Sequence, residues 1–390
     1  MDAEATGRAA TRHRVVHIIT GLSQGGAEAS LYRLIRTSGM HWDTVVISLA
    51  DEGYYGEKLR SLGVTVLCCR MRAPHQLVGG FIRLLRFLRR SRPHVVQTWM
   101  YHANLLGGVA ARLLGVRAIV WGIRNTHLYE GGVSWSARAA AGLSAALSKR
   151  VPRLIISCSV QAAAEHRRRG YADDRMVIIP NGYDCAQLRR DAAAGERLRS
   201  AWGALPPTFL LGMVARWDPL KDHANLFAAL QLLRADDQVR CVLIGPGMDA
   251  SNARLQQLLR RYQLHSQVVL AGAHDDIAAV MSALDVHVLS SVSEAFPNVV
   301  AEAMACGTPC VVTDVGDAAA IVGDTGWCVP PRDPAALCAA LQAARVRLAS
   351  SDPQPLRDAC RARIVRDFNG ERMVQAYEAA WAEALGSHGS

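Results

Sequence analysis

The chain has 390 residues, 50% hydrophobic and 20% charged, which excludes a disordered tail and leaves room for two ordinary cores. No apolar run reaches the ~18–20 residues of a membrane span, and Met1–Arg14 lacks the apolar stretch of a secretory signal. The net charge of +10 is uneven: up to Asp184 there are 25 Lys and Arg against 12 Asp and Glu, and beyond it 19 against 22. The first half is therefore expected to meet acidic partners such as phosphates or an anionic membrane surface.

In chain order, short apolar runs alternate with helical periods. Arg14–Ile19 reads as a strand, followed by a Gly-rich turn and a helix over Glu28–Thr37. Strands at Thr44–Leu49 and Val64–Cys68 precede an amphipathic stretch at Phe81–Arg90. Val95–Gln97, a helix over Ala103–Leu114, Ala118–Trp121, Leu154–Cys158, a helix over Val160–Arg169 and Val177–Ile179 complete the first series. This βαβ rhythm predicts a parallel sheet covered by helices on both faces. After a polar stretch at Arg189–Ser200 the rhythm restarts with strands at Phe209–Val214, Val239–Ile244, Val268–Leu270, Val286–Leu289 and Pro309–Thr313. Helices are expected between them at Asp222–Leu233, Ala253–Tyr262, Ile277–Ser282 and Asn298–Ala305. The fold class is therefore α/β, with two doubly wound, Rossmann-like domains facing a central cleft. The domains are residues 1–185 and 186–370, with the linker near Pro180–Arg190. Ten cysteines lack C-x-x-C or paired zinc spacing and read as small core residues in a reducing compartment.

Three stretches carry candidate chemistry. The turn from Gly21 to Glu28 joins a strand to a helix, and Gly25 and Gly26 would let backbone N–H groups approach a phosphate. A plain tight turn is the alternative, and the dinucleotide spacing G-x-G-x-x-G is absent. The second stretch, Gly212 to Asp222, places Arg216 and Lys221 around Asp218-Pro219. Two cations at one strand end suit a diphosphate, where charge grows as a bond to it breaks; an ion pair of Arg216 with Asp218 or Asp222 is the alternative. The third runs from Ser293 to Pro309. Pro297 suits the first turn of a helix and Gly307 its end. Glu294 then lies in the loop ahead, and Glu302 among Val, Ala and Met, where a buried carboxylate needs a hydrogen-bonding partner such as a diol. The free N–H groups around Phe296, Pro297, Asn298 and Val299 would favour phosphate. A terminal Glu with one surface Glu is the alternative.

The stretch Phe81–Arg90 sets Phe81, Leu84, Leu85 and Leu88 on one face and Arg83, Arg86 and Arg90 on another. It reads either as a sheet-covering helix with a solvated basic face or as a surface for anionic lipid. Nucleic acid is not expected, because no recognition motif or aromatic platform accompanies the charge.

Together, Gly-Gly-Ala-Glu at 25–28, Ile-Pro-Asn-Gly at 179–182, Arg216 with Lys221, E-x7-E from Glu294 to Glu302, Cys306-Gly-Thr-Pro309 and Thr313-Asp-Val-Gly316 resemble the retaining glycosyltransferases of family 4, which have the two-domain GT-B fold. The resemblance spans nearly the whole chain. It implies that Arg216 and Lys221 bind the donor diphosphate and stabilise the leaving nucleotide. Glu302 would hold the ribose and Glu294 the transferred sugar. Backbone at Phe296–Val299 and at Gly25–Gly26 would meet sugar and phosphate. It also implies retention of configuration by front-face attack, and a last helix, residues 371–390, that crosses back onto the first domain. No cofactor and no metal are expected, in accord with the absence of D-x-D; a nucleoside diphosphate sugar is the co-substrate and a glycan or lipid-linked glycan the acceptor. The setting implied is bacterial surface polysaccharide assembly, in the cytoplasm or peripherally on the inner face of its membrane. A nucleotide-sugar epimerase or phosphorylase and a non-catalytic sugar-nucleotide binder are the alternatives. Many relatives carry a His after the strand corresponding to Ala118–Trp121; here Arg124, Asn125 and His127 follow it. His102 and Asn104 are a second expected cleft-facing pair.

Overall fold

The computed structural model describes residues 12–38, 42–126, 134–233, 238–350 and 352–386. The first sheet is built in the order β1 (Arg14–Ile19), α1 (Gly26–Ser38), β2 (Asp43–Ser48), α2 (Gly53–Ser61), β3 (Thr65–Cys68), α3 (Leu77–Ser91), β4 (Val95–Trp99), α4 (Gly108–Leu113), β5 (Ala118–Ile123), α5 (Trp135–Leu147), β6 (Leu154–Ser157), α6 (Val160–Arg168) and β7 (Met176–Ile178). The second follows as α7 (Ala192–Ala201), β8 (Phe209–Val214), α8 (His223–Leu232), β9 (Val239–Ile244), α9 (Ala253–Tyr262), β10 (Val268–Gly272), α10 (Ile277–Ala283), β11 (Val286–Leu289), α11 (Asn298–Ala305), β12 (Cys310–Thr313), α12 (Ala318–Val322), β13 (Trp327–Val329), α13 (Pro334–Ala349), α14 (Gln354–Asp367) and α15 (Gly370–Leu385). Strand orders are β3-β2-β1-β4-β5-β6-β7 and β10-β9-β8-β11-β12-β13. Every pairing between these strands is parallel. The architecture is thus α/β with two Rossmann-like sheets.

The central strands β1 and β8 are buried without alternation after their first residue, because helices cover both faces. Sequence reading missed α2, α5, α7, β13 and α12–α14. The polar stretch at Arg189–Ser200 holds α7, whose N-terminus is capped by Asp191 accepting the N–H of Ala194 at 2.9 Å. The helix expected over Ala103–Leu114 opens with a π-helical turn at Ala103–Gly107 before becoming α4.

The last helix lies on the first sheet. Met373, Val374, Tyr377, Trp381 and Ala384 recur at helical spacing and are buried. Tyr377 stacks on Trp99 at 5.9 Å, and Trp381 donates its indole N–H to Gln97 Oε1 at 3.1 Å. The chain therefore crosses between the sheets twice, at residues 179–191 and 368–370. The two crossings hydrogen-bond: Tyr183 N–H donates to Phe368 O at 2.9 Å, and Gly370 N–H to Tyr183 O at 2.8 Å. None of the ten cysteines is in a disulfide, and seven are buried.

Candidate active site

In each sheet the strand order reverses at one point, between β1 and β4 in the first and β8 and β11 in the second. The crevice beyond the carboxyl ends at such a point is where ligands of open α/β sheets bind. The turn Gly21–Gly26 follows β1, residues 215–221 follow β8, and residues 290–297 follow β11. These segments carry most of the expected site residues. The turn packs closely: a Cβ on Gly26 would lie 3.1 Å from Asn298 Nδ2, across the junction, and one on Gly25 would lie 2.4 Å from Glu28 Oε2.

Lys221 and Glu294 meet. Lys221 Nζ lies 2.5 Å from Glu294 Oε1, which also accepts the Ser291 hydroxyl at 2.8 Å. The two backbones are tied as well, since Val292 N–H donates to Leu220 O at 2.9 Å and Ser290 Oγ to Lys221 O at 2.9 Å. The loop bearing Glu294 is held from behind by Gly316, whose φ of +55° and whose contact, 2.4 Å from an added Cβ to Ala295 O, admit only glycine. Arg216 forms the ion pair that the sequence left as an alternative. Its Nε and Nη2 reach Asp218 Oδ2 at 3.0 and 2.7 Å, with the side chain 58% exposed. Burial raises the Asp218 pKa, but the Leu220 N–H and Arg216 outweigh it and leave a net lowering. Across the crevice Glu28 is buried at the start of α1. Burial raises its pKa, opposed by its own backbone N–H and by the charge of Arg216.

Pro297 is the residue just before α11, not within it, so the helix begins at Asn298. The N–H groups of Asn298 and Val299 thus precede any intrahelical acceptor. Phe296 is buried against Phe368, ring centroids 5.6 Å apart. Glu302, one turn of α11 beyond Asn298, accepts from Arg33 Nη1 at 3.2 Å. Burial raises the Glu302 pKa and Arg33 opposes that rise.

The first-half candidates divide. Arg124 lies over the Trp99 ring at 4.4 Å, donates to Asn181 Oδ1 at 2.6 Å and to the Tyr377 hydroxyl, and so braces the junction. Asn125 is exposed, and His127 lies outside the described residues. His102 meets Ser136 Oγ at 3.3 Å, with its pKa lowered by burial. Asn104 does not face the cleft. It is fully buried, accepts from the Thr98 hydroxyl at 2.6 Å and donates to Gly122 O at 3.1 Å, because the π-helical turn directs it into the β4–β5 seam.

Sequence reading missed Arg33, Asn181, Tyr183 and Asp317. Asn298 Oδ1 receives Arg33 Nη2 at 2.9 Å, Asn181 Nδ2 at 2.9 Å and Tyr183 Oη at 2.6 Å. Asp317 accepts the N–H groups of Val160 at 2.9 Å and Gln161 at 3.2 Å, capping α6 from the other half. Asn181 alone had a signal, within Ile-Pro-Asn-Gly; the partners of the others are over a hundred residues away in sequence. On α3, Leu84 and Leu88 are buried, but Arg83 donates to Cys69 O at 2.8 Å rather than standing free. Val78 is 74% and Ile82 43% exposed beside Arg86, Arg89 and Arg90. Among the described residues no group of three or more His, Cys, Asp or Glu could hold a metal ion, and no helix is long and apolar enough to cross a membrane.

Two family models match, "Glycosyltransferase Family 4" over residues 24–187 and "Glycosyl transferases group 1" over residues 208–344. Among curated relatives, the putative glycosyltransferase EpsF of Bacillus subtilis (strain 168) is 26% identical over 316 residues, 78% of this chain and 80% of that protein. The Escherichia coli UDP-Gal:alpha-D-GlcNAc-diphosphoundecaprenol alpha-1,3-galactosyltransferase is 24% identical over 277 residues, 67% of this chain and 68% of that protein. Among solved structures, Anabaena HepE in complex with UDP superposes with a TM-score of 0.82 at 20% identity, covering 95% of this chain and all of HepE (100%). WaaG, a glycosyltransferase involved in lipopolysaccharide biosynthesis, gives 0.71 at 16% identity, covering 96% of this chain and 100% of WaaG. With one model on each sheet and the GT-B fold around the crevice, the chain belongs to glycosyltransferase family 4.

Proposed function

We propose that this enzyme transfers a hexose-type sugar from a nucleoside diphosphate donor to a lipid-linked glycan, with retention of configuration and without a metal ion. The observation that carries the reading is the Lys221–Glu294 pair at 2.5 Å beside Arg216, where β8 and β11 end. Lys221 and Arg216 supply fixed positive charge to the leaving diphosphate, which the N–H groups of Asn298 and Val299 face from α11. Asp218 holds the Arg216 guanidinium at the end of β8, where its exposed side meets the phosphate. Glu294, already held by Lys221 and Ser291, accepts from a hydroxyl of the transferred sugar. Glu302 accepts from the ribose, and Gly25–Gly26 leave room for sugar and phosphate on the opposite wall. The acceptor hydroxyl attacks from the leaving-group face, and a phosphate oxygen takes its proton.

A lipid diphosphate acceptor is favoured by the name of the Escherichia coli relative and by the Campylobacter jejuni N,N'-diacetylbacillosaminyl-diphospho-undecaprenol alpha-1,3-N-acetylgalactosaminyltransferase, 24% identical over 307 residues. The exposed Val78, Ile82, Arg86, Arg89 and Arg90 on α3 suit docking on the inner, cytoplasmic face of an anionic membrane. Each Arg near such a surface contributes ~1 kcal/mol. Co-sedimentation with anionic and neutral vesicles tests this: Arg86/Arg89/Arg90→Gln should lose anionic binding, and equal binding to both lipids would remove the membrane role. The transferase reading is tested by incubating the enzyme with UDP-, GDP- and ADP-hexoses and a polyprenyl-diphosphate glycan, then reading the product's anomer by NMR. Retention supports it; inversion, or conversion of donor without an acceptor, contradicts it.

A further inference from the structure

Arg33 stands on α1, the helix opened by the Gly25–Gly26 turn, and reaches into the other half of the molecule. One nitrogen, Nη1, donates to Glu302 Oε1 at 3.2 Å, and Nη2 donates to Asn298 Oδ1 at 2.9 Å. The guanidinium lies 4.7 Å over the Tyr183 ring, and both it and Glu302 are largely buried, at 13% and 16% side-chain exposure. Tyr183 and Asn181 also bond Asn298, so Arg33 sits in a fixed frame of three donors around one amide oxygen. A planar guanidinium held at two nitrogens keeps its orientation far better than a lysine ammonium would. Its bond to Glu302 engages Oε1 alone.

The position has two consequences. A carboxylate as buried as Glu302 needs a bonded cation to stay ionised, and that cation comes from the first half of the chain. The other oxygen, Oε2, is left to meet a ligand. We propose that Arg33 is a positioning residue for the nucleoside end of the donor, holding Glu302 ionised and turned so that its second oxygen accepts from a ribose hydroxyl. The proposal rests on the ribose role of Glu302 given above. It ties donor recognition in the second half to α1 of the first, without Arg33 touching the reacting atoms.

The test is isothermal titration of the full chain with UDP, GDP and ADP and with their 2′-deoxy counterparts, on wild type, Arg33→Met, Arg33→Lys and Glu302→Gln. For the ribonucleotide that binds, Arg33→Met should weaken affinity about tenfold, the loss of one charge-assisted bond. It should leave the 2′-deoxy form nearly unchanged, and Arg33→Lys should recover part of the loss. Arg33→Gln, which keeps a donor for Asn298 without charge, substitutes if the Met variant does not fold. Equal loss for ribo and deoxy forms would make Arg33 a plain structural brace and overturn the proposal. Tighter binding would overturn it too, by showing that Arg33 occupies a place the ribose must take. Glu302→Gln separates the two layers: if it keeps the ribo preference, the ribose role of Glu302 falls; if it erases the preference while Arg33→Met keeps it, only the role of Arg33 falls. Failure of all three ribonucleotides to bind the wild type would overturn the donor reading and this proposal together.

Discussion

Replacing Lys221 by Met tests the charge at the leaving group. In the protein the ammonium lies 2.5 Å from Glu294 Oε1, with the two side chains 18% and 13% exposed. Without it the Glu294 carboxylate keeps only the Ser291 hydroxyl. Breaking a fully buried pair costs ~3–5 kcal/mol and an exposed one ~0–1; this pair opens on the crevice, so about 1–2 kcal/mol of stability should go. The effect on turnover should be larger. Loss of one preorganised donor to a developing anion lowers kcat by ~10²–10³, or ~2.7–4 kcal/mol. The assay is the transfer rate at saturating donor, run beside denaturant melts. Adding Glu294→Gln to Lys221→Met removes the orphaned charge and should restore much of the stability but none of the rate. A kcat within a few-fold of wild type in Lys221→Met, or a rate recovered in the double variant, would refute a role at the leaving diphosphate.

Arg216→Ala should also lower kcat by ~10²-fold or more with little change in melting, because its guanidinium is mostly exposed; equal activity would leave only the Asp218 pair. Nucleoside diphosphate affinity should fall as the pH is lowered. Burial raises the Glu302 pKa, so the accepting, ionised form is complete above that pKa and is lost as the pH drops through it. In Glu302→Gln this part of the titration should be flat. Asp317→Ala removes the acceptor of the Val160 and Gln161 N–H groups, leaving α6 its Ser159 cap, and should cost ~1 kcal/mol, with a larger radius of gyration in X-ray scattering as the halves part; unchanged scattering and stability would dismiss the clasp. On the proposed reading, Lys221 and Arg216 do the work of a metal at the diphosphate, so chelator should leave turnover intact; its loss with EDTA and return with Mg²⁺ would contradict that.

How much was legible in the sequence follows from where each signal lies. Phe209–Val214 is a continuous apolar run and Arg14–Ile19 is one broken only by His17 after its leading Arg14, and such runs read directly as central parallel strands. The boundaries of α11 were within a residue or so because Pro297 precedes it and Gly307 turns the chain at its end. By contrast α5 and α13 are rich in alanine, so their buried and exposed faces differ little in composition. Only three residues make β13, and it is recognised by its pairing with β12 alone. Lys221 and Glu294 each lie in a candidate motif, but their pairing appears only when β8 and β11 lie side by side. Asn104 misled because its place after β4 suggested the crevice, while one π-helical turn rotates it into the core. Arg33 gave no signal, since an arginine on a helix surface reads as solvated until its partner, 269 residues on, is placed beside it.

On this reading the donor binds in the crevice beyond the carboxyl ends of the neighbouring strands β8 and β11. A crystal structure of the protein with a bound nucleoside diphosphate tests it most directly. The diphosphate should lie against Lys221, Arg216 and the N–H groups of Asn298 and Val299, with the ribose on Glu302 and Arg33 still bonded to that carboxylate. A nucleotide bound elsewhere, or one in the crevice with its ribose turned away from Glu302, would contradict it.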